Sequence, residues 1–426
     1  MNPRTSVDTG GCPVTALSDT FKLSNEELEG VLKHARTNSP VTHLPNIGYW
    51  AISRHDDIKT ILSDKENFSS EITLDPLVPF SAEVLDMLKN RGFSPRPTLS
   101  NNEREEHTRI RRSAQEAFRP KRTALLEAYI RQLVNDAVDS FEVDGRADLV
   151  KQMVYELPAL VLFKLLGIPE EDVQKIKMWA DSRLLLSFGK PSLEDQLTAA
   201  GHLADYWDYC LALVQLRMES PQDDLPSDML ATRAGDDSIL TIEDINNVVF
   251  GLLLAGHETT TNMSANAILT VLQHRESWDA IVGDPGLIPN AVEECLRYRS
   301  SVVAWRRLVK RDIEIQGQKI TAGERVLCFL PSANRDESRF DHGEDFDIRR
   351  DNAREHIAFG YGRHVCLGSS LARFELALIL EELSKRLPNM RLVTDQSLKP
   401  VESVQFRGPQ ELWVEWNPVG PPVTLI

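Results

Sequence analysis

Between residues 121 and 299, apolar side chains recur at helical spacing almost without a break. Segments 121–141, 149–166, 170–187, 192–219, 241–273, 275–282 and 287–299 each keep an apolar face. A sheet cannot bury such a pattern, so this half of the chain must be a helical assembly. Ser192-Leu193-Glu194-Asp195 and Thr241-Ile242-Glu243-Asp244 read as capping boxes that start two of these helices. Strand-like alternation appears only outside the run. It is seen at 49–53, ahead of a helix at 56–62, in a hairpin at 313–320 around Gly317, at 325–330 and at 412–416. Residues 71–104, with prolines at 76, 79, 95 and 97, are expected to be irregular and mobile, with a short helix at 82–88. The basic segment 104–118 reads as a helix ended by Pro120, and 331–358 as coil. The pattern predicts a mainly α protein with a small β region. It is expected to form a single large domain over 21–416, with a flexible 1–20 and a Pro-rich tail at 417–426.

The 426 residues allow a large core and are long enough for two domains, but no linker-like stretch divides them and no internal repeat is evident. A formal net charge of −16 argues against a general nucleic-acid binder, which needs a cationic face to displace counterions. The five cysteines, Cys12, Cys210, Cys295, Cys328 and Cys366, are dispersed and odd in number. That usage suits a reducing cytoplasm better than a disulfide framework. No secretory pattern opens the chain, and no run of about 18 apolar residues occurs, so neither export nor a membrane span is expected.

Cys366 stands apart through its surroundings, Phe359-Gly360-Tyr361-Gly362-Arg363-His364-Val365-Cys366-Leu367-Gly368, with a helical run at 369–383 directly after. A thiol ahead of a helix feels its positive end, which lowers the thiol pKa, and glycines let backbone N–H groups turn toward the sulfur. On these residues alone an inert core thiol competes with a metal-bound thiolate. Gly360-x-Gly362 before a helix also suggests a dinucleotide-binding turn, but the following strand and acidic residue are missing. The whole spacing, Phe359-x-x-Gly362-x-x-x-Cys366-x-Gly368, resembles the haem-binding loop of the cytochrome P-450 family. The resemblance extends over roughly residues 20–416. It implies the α-rich cytochrome P-450 fold, with haem b (iron protoporphyrin IX) ligated by the Cys366 thiolate and Phe359 beside it. Such a ligand pushes electron density onto iron and favours O–O cleavage.

Within the 241–273 helix, Gly256 and the consecutive Thr259, Thr260 and Thr261 are poor helix formers. A glycine lets a flat ligand approach the backbone, and a threonine hydroxyl can bond a carbonyl one turn back. A helix–helix contact would explain Gly256 as well. Ala255-Gly256-x-Glu258-Thr259 resembles the family's oxygen-activation motif, which implies that Thr259 hydrogen-bonds dioxygen and Glu258 relays protons. Glu294 and Arg297 share a helix face and match the family's Glu-x-x-Arg pair. Arg350 stands where its third partner would be, and the implied role of the trio is to hold the coil beneath the thiolate loop. His107 and Arg111 lie one helical turn apart. Strand alternation puts Val303, Trp305 and Arg307 on one face and Arg306 on the other. By the resemblance, His107, Arg111, Arg307 and His364 hold the haem propionates and Arg306 stays outside. The family's frequent Asp-Pro-Pro before this histidine is replaced by Glu103-Arg104-Glu105-Glu106, a departure in the local loop.

The substrate pocket is expected from segments 71–104, 184–210, 252–256, 302–305 and 403–406, with Leu252, Leu253, Ala255, Val302, Val303, Trp305 and Phe406 lining it. These are mostly apolar with no obvious buried charge, which favours a hydrophobic substrate or an aromatic ring. Segments 91–97 and 406–413 look similar to bacterial members whose haem domain is fused to a reductase. This chain would instead take electrons from NAD(P)H through a separate ferredoxin or flavodoxin with its reductase. Arg109, Arg112, Arg119, Lys121, Arg122 and Arg363 form either a docking patch for that acidic donor or a solvated face. The expectation is a cytoplasmic monooxygenase that inserts one atom of O2 by hydroxylation or oxidative dealkylation. Its rivals are an H2O2-dependent peroxygenase, a non-catalytic haem sensor or carrier, and a helical scaffold without cofactor.

Overall fold

In the computed structural model, which describes residues 13–256, 258–401, 403 and 405–417, helices follow the apolar periodicity. The first part carries α1 (Asn25–Asn38), α2 (His55–Ser63), α3 (Ala82–Asn90), α4 (Glu106–Gln115) and the short α5 (Pro120–Thr123). The helical half comprises α6 (Glu127–Phe141), α7 (Leu157–Leu166), α8 (Val173–Phe188), α9 (Leu193–Glu219) and α10 (Leu225–Arg233). It continues through α11 (Ile242–Ala255), α12 (Glu258–Gln273), α13 (Arg275–Gly283) and α14 (Ile288–Tyr298). The series closes with α15 (Leu330–Ala333) and α16 (Ser369–Arg386).

Both capping boxes form. The Asp195 N–H donates to Ser192 Oγ at 3.2 Å, and the Asp244 N–H donates to Thr241 Oγ1 at 3.0 Å, with each aspartate returning the bond to its cap. Two expected helices are interrupted. Segment 149–166 starts as a π turn, Val150–Val154, and the α-helix restarts at Leu157, because Pro158 fits only a first turn. Segment 241–273 breaks between Ala255 and Glu258. There the Thr259 and Thr260 hydroxyls donate to the carbonyls of Ala255 and Gly256 at 2.8 and 3.1 Å, in competition with the backbone ladder. Of the segment expected to be irregular at the N-terminus, 1–12 lies outside the described residues, while Pro13–Lys22 forms 3-10 turns that bury Val14 and Leu17. Of the expected tail, 418–426 lies outside as well.

The strands are β1 (Val41–Leu44), β2 (Tyr49–Ile52), β3 (Phe68–Ser69), β4 (Arg146–Asp148), β5 (Ala304–Val309), β6 (Ile313–Ile315), β7 (Gln318–Ile320), β8 (Arg325–Phe329), β9 (Arg391–Leu392) and β10 (Trp413–Glu415). They form a five-stranded sheet in the order β1-β2-β8-β5-β3, a β4-β10-β9 sheet and the β6-β7 hairpin. β1, β3, β4 and β9 were not expected; with two to four residues each, they are too short to show alternation. The main apolar cluster wraps α11 and α12, burying Val248, Leu253, Ile268 and Leu269, while a second joins the larger sheet to α2.

One polar network fixes the coil between α15 and α16. Arg297 and Glu294 are fully buried, with Nε and Nη2 each donating to the carboxylate at 2.7 Å. The remaining Arg297 N–H groups donate to the carbonyls of Asn334, Gly343 and Asp345. Arg350 reaches Glu294 at 3.2 Å, and the Asp347 N–H donates to the same carboxylate at 2.9 Å. The pair is therefore an interior strut and not the surface ion pair that its spacing alone suggests. Removing one partner strands the other charge in the interior. Glu294→Ala is expected to cost about 3–5 kcal/mol in chemical denaturation, against about 0–1 kcal/mol for deletion of an exposed pair such as Arg275–Asp279.

Candidate active site

A cavity of about 230 Å³ lies between the α11–α12 break and the loop that leads into α16. Leu252, Ala255, Gly256 and Thr259 form one wall, and Phe359, His364, Val365 and Cys366 form the facing wall. The loop is built by backbone geometry. Gly360 and Gly362 sit at φ of 75° and 74°, and a Cβ on Gly362 would lie 2.7 Å from the Leu62 carbonyl oxygen, so the loop is pressed against α2. The Cys366 N–H donates to Phe359 O at 2.9 Å and closes the turn.

Water reaches the Cys366 side chain through the cavity, although the residue lies deep in the protein. Burial pushes its thiol pKa up; the Gly368 N–H, Arg111 and Arg373 pull the other way but do not win. This corrects the expectation of a lowered pKa. The chain supplies an incomplete electrostatic seat, and a bound cation would have to complete the thiolate. Cys210, Cys295 and Cys328 are buried thiols whose pKa values burial also raises. Among the described residues no cluster of three or more His, Cys, Asp or Glu could hold a metal ion.

The expected propionate set gathers on one side of the loop. Arg111 and His364 line the cavity, and Arg111 donates to Val365 O at 2.7 Å. His107 packs against His364 with ring centroids 4.7 Å apart. His107 Nε2 donates to Leu99 O at 3.1 Å, and its Nδ1 accepts from Arg363 at 3.0 Å. Burial first, and then the charges of His364, Arg363 and Arg111, lower its pKa to about 4, and its single N–H would have to leave Leu99 O to reach a ligand. Arg307 is buried on β5, donates to Arg306 O at 2.7 Å and feels Glu103. It stands near the set without lining the cavity. Arg306 points the other way, toward Asp75 O at 2.6 Å and over the Phe188 ring at 5.2 Å, as the alternation requires.

The departure at 103–106 acquires a role. The Glu103 carboxylate accepts from the Ser70 N–H at 2.6 Å and from the Ser70 hydroxyl, and it lies 3.4 Å from His364 Nε2. Burial raises its pKa, but His364 and Ser70 outweigh this and bring it to about 2. Three arginines, Arg111, Arg307 and Arg363, stand on this side of the loop with the single carboxylate of Glu103, and the surplus positive charge fits a group bearing two carboxylates.

On the opposite wall, a Cβ on Gly256 would meet Leu162 of α7 at 2.7 Å, so the helix contact and the cavity both call for glycine there. Glu258 does not line the cavity. It accepts from Asn262 Nδ2 at 2.8 Å and faces Lys177 and Asp181. Burial raises its pKa, and Asp181 adds to that.

The expected pocket residues Leu252, Ala255, Val302, Trp305 and Phe406 line the cavity, but Leu253 and Val303 do not. Leu253 turns into the core. Val303 precedes β5, where the pleat does not yet govern direction, and it packs with Val14, Leu17 and Phe329. Of segment 184–210, only Phe188 contributes. Gln405, within the expected segment 403–406, lines the cavity; sequence reasoning missed Leu162, Met263 and the buried Arg183 and Glu375, and these two overturn the expectation of no buried charge. Helical spacing from Ile176 and Ala180 would have placed Arg183 on the inner face of α8. It also missed Glu293, whose carboxylate bonds His356 at 3.1 Å and Arg373 at 2.9 Å beneath Phe359.

A family model described as Cytochrome P450 matches residues 286–394. Cytochrome P450-SU2 of Streptomyces griseolus is 34% identical over 410 residues, covering 95% of this chain and 93% of that protein. The structure of cytochrome P450 CREJ in complex with (4-ethylphenyl) dihydrogen phosphate superposes with a TM-score of 0.88 at 39% identity, covering 91% of this chain and 96% of the other. An intact type IV self-sufficient cytochrome P450 monooxygenase matches with a TM-score of 0.89 at 36% identity, over 99% of this chain but 53% of the longer one. Together with the loop and cavity geometry, these similarities lead to one conclusion: the chain belongs to the cytochrome P450 family of monooxygenases.

Proposed function

We propose that this chain is a haem-thiolate monooxygenase in which Cys366 ligates the iron of haem b and Arg111, His364, His107 and Arg307 receive its propionates. The observation that carries the reading is that Cys366, on the loop before α16, and Thr259, on α12, line one cavity. Haem, when bound, supplies O2 activation and oxygen-atom transfer. The chain's residues seat it, exclude bulk water and manage protons. Thr259 Oγ1, now donating to Ala255 O, has only to rotate to donate into the cavity. Glu258, whose pKa burial raises, is placed to hold the next proton, with Asp181 and Lys177 beyond it. This pair favours O2 with a reductant over H2O2, because peroxide brings its own protons.

The walls are chiefly apolar, which favours a hydrophobic or aromatic substrate, and the alkylphenyl ligand of cytochrome P450 CREJ is in keeping with a ring. The electrons are proposed to come from NAD(P)H through a separate ferredoxin or flavodoxin. The basic face is smaller than the sequence suggests. Arg109 pairs with Asp244, Arg119 with Glu116 and Arg122 with Asp223, and Arg363 bonds His107. Among the described residues, Arg112 and Lys121 are left without an ion pair, and they are the proposed contacts.

Three outcomes test the assignment. The reduced, haem-loaded protein under carbon monoxide is expected to show the red-shifted Soret band of thiolate ligation, and Cys366→Ser to lose it; a wild type without that band refutes the proposal. Thr259→Ala is expected to keep the band while product per NADH falls about tenfold or more, since a positioned proton donor contributes about 10²–10⁴ in rate. Because the Glu258 pKa is raised, its acid form survives above the ordinary carboxylate range and is lost as pH rises through the elevated value. Product per NADH should therefore fall on the alkaline side, and Glu258→Gln should show a low, flat profile in the same assay.

A further inference from the structure

Three polar groups on the cavity's apolar walls are not fully accounted for by the fold: Arg183, Gln405 and Glu375, whose Oε2 has no hydrogen-bond partner and whose pKa burial raises, so that it is no counter-charge to the arginine. Arg183 of α8 lines the cavity and is only 8% exposed. Its Nη1 donates to Phe250 O at 2.8 Å, and its guanidinium lies 4.1 Å over the Phe250 ring. The same carbonyl already accepts from the Tyr206 hydroxyl at 3.2 Å. Some buried arginines meet a carboxylate, as Arg217 does on Asp224 and Arg297 on Glu294, while Arg306, Arg307 and Arg407 rest on carbonyls or an amide; of those without a carboxylate, Arg183 is the one that lines the cavity. Among the described residues no carboxylate pairs with Arg183. A carbonyl and a ring face are partial compensation for a desolvated cation that carries five N–H donors.

The second group is Gln405, which also lines the cavity. It is 2% exposed, and neither Oε1 nor Nε2 has a hydrogen-bond partner. Buried side-chain amides are seldom left with both ends unmet. A cation without an anion and an amide without a partner, on the walls of one cavity, indicate that a ligand supplies the missing groups.

We propose that the substrate is an amphiphile whose anionic group, a carboxylate or a phosphate monoester, is bound by Arg183, while Gln405 hydrogen-bonds a polar atom of the same molecule. Its hydrocarbon or aromatic body fills the space among Leu74, Phe188, Leu252, Trp305 and Phe406. A guanidinium fork matches either oxyanion bidentately, and the low-dielectric walls strengthen the pair. Arg183 sits at the level of Phe250, roughly 9 Å along the helix axis from Gly256. The anion is thereby held away from Thr259, and the hydrocarbon end is presented to it. This rests on the reading of the cavity as the substrate chamber of a haem-thiolate enzyme.

The test is isothermal calorimetry on the haem-loaded protein with 4-propylbenzoate, 4-propylphenyl phosphate and the neutral methyl 4-propylbenzoate. At least one anion is expected to bind about tenfold tighter than the ester, as a charge-assisted pair allows. The two anion arms identify which oxyanion is preferred. Arg183→Gln should abolish the preference and leave ester affinity within about twofold, while Arg183→Lys restores part of it. An ester that binds as tightly as both anions overturns the proposal, and so does a preference that survives in Arg183→Gln. Should Arg183→Gln fail to fold, the wild-type comparison decides alone, and Gln405→Leu is expected to weaken binding of the preferred anion. Calorimetry does not depend on the iron ligand, so a missing thiolate Soret band would sink the haem reading while the anion result stays legible.

Discussion

The Glu294 carboxylate is the point on which the lower half of the molecule turns. It accepts from Arg297, Arg350 and the Asp347 N–H, and the two guanidiniums then satisfy the carbonyls of Asn334, Asp341, His342, Gly343 and Asp345. That coil has no ladder of its own, so its buried carbonyls depend on side-chain donors. The preceding residue, Glu293, does a related task one step further along, joining His356 to Arg373 beneath Phe359. Two consecutive acids on α14 thus reach the coil and the base of the thiolate loop, and position the sulfur without touching it.

Much of this was legible because it is local. Helix starts at Ser192 and Thr241, the β6-β7 hairpin at Gly317, and the opposed directions of Arg306 and Arg307 all follow from spacing and pleat. The motif residues Gly256, Thr259, Phe359, His364 and Cys366 meet at one cavity, as their resemblance to a known family implies. What could not be read depends on distant parts of the chain. Val303 faces the N-terminal turns because strand geometry begins one residue later, whereas Leu253 was simply misplaced: Val248, Leu252, Ala255 and Thr259 share the cavity face, and helical spacing turns Leu253 away from it. The Cys366 pKa was misjudged for a similar reason: a helix start is visible in sequence, whereas the burial that outweighs it is not.

Charge placement separates the two faces of the chamber. On the loop side, the Glu103 carboxylate meets His364 and Arg363 and is felt by Arg307, with Arg111 close by on Val365 O. On the wall formed by α8, one guanidinium rests on a carbonyl and a ring. Between them, Thr259 and Gly256 keep that wall narrow and uncharged, with Glu258 turned behind it toward Lys177 and Asp181. In the proposed function, the proton-holding Glu258 and the substrate chamber therefore belong to different faces of α12.

The back-to-back arginines on β5 have a consequence for how the strand tolerates error. Arg307 lies opposite Val326, and Arg306 opposite Leu327, in the antiparallel pairing with β8. A one-residue slip of β5 that moves Arg306 into the place of Arg307 would deliver a guanidinium to Glu103 all the same, whereas the opposite slip would put Leu308 there. The first fault would show as lost stacking on Phe188 and not as a missing charge. Neighbouring duplicates of this kind make a cofactor's electrostatic seat robust to misthreading in one direction, and they leave shape complementarity to reject that wrong alignment.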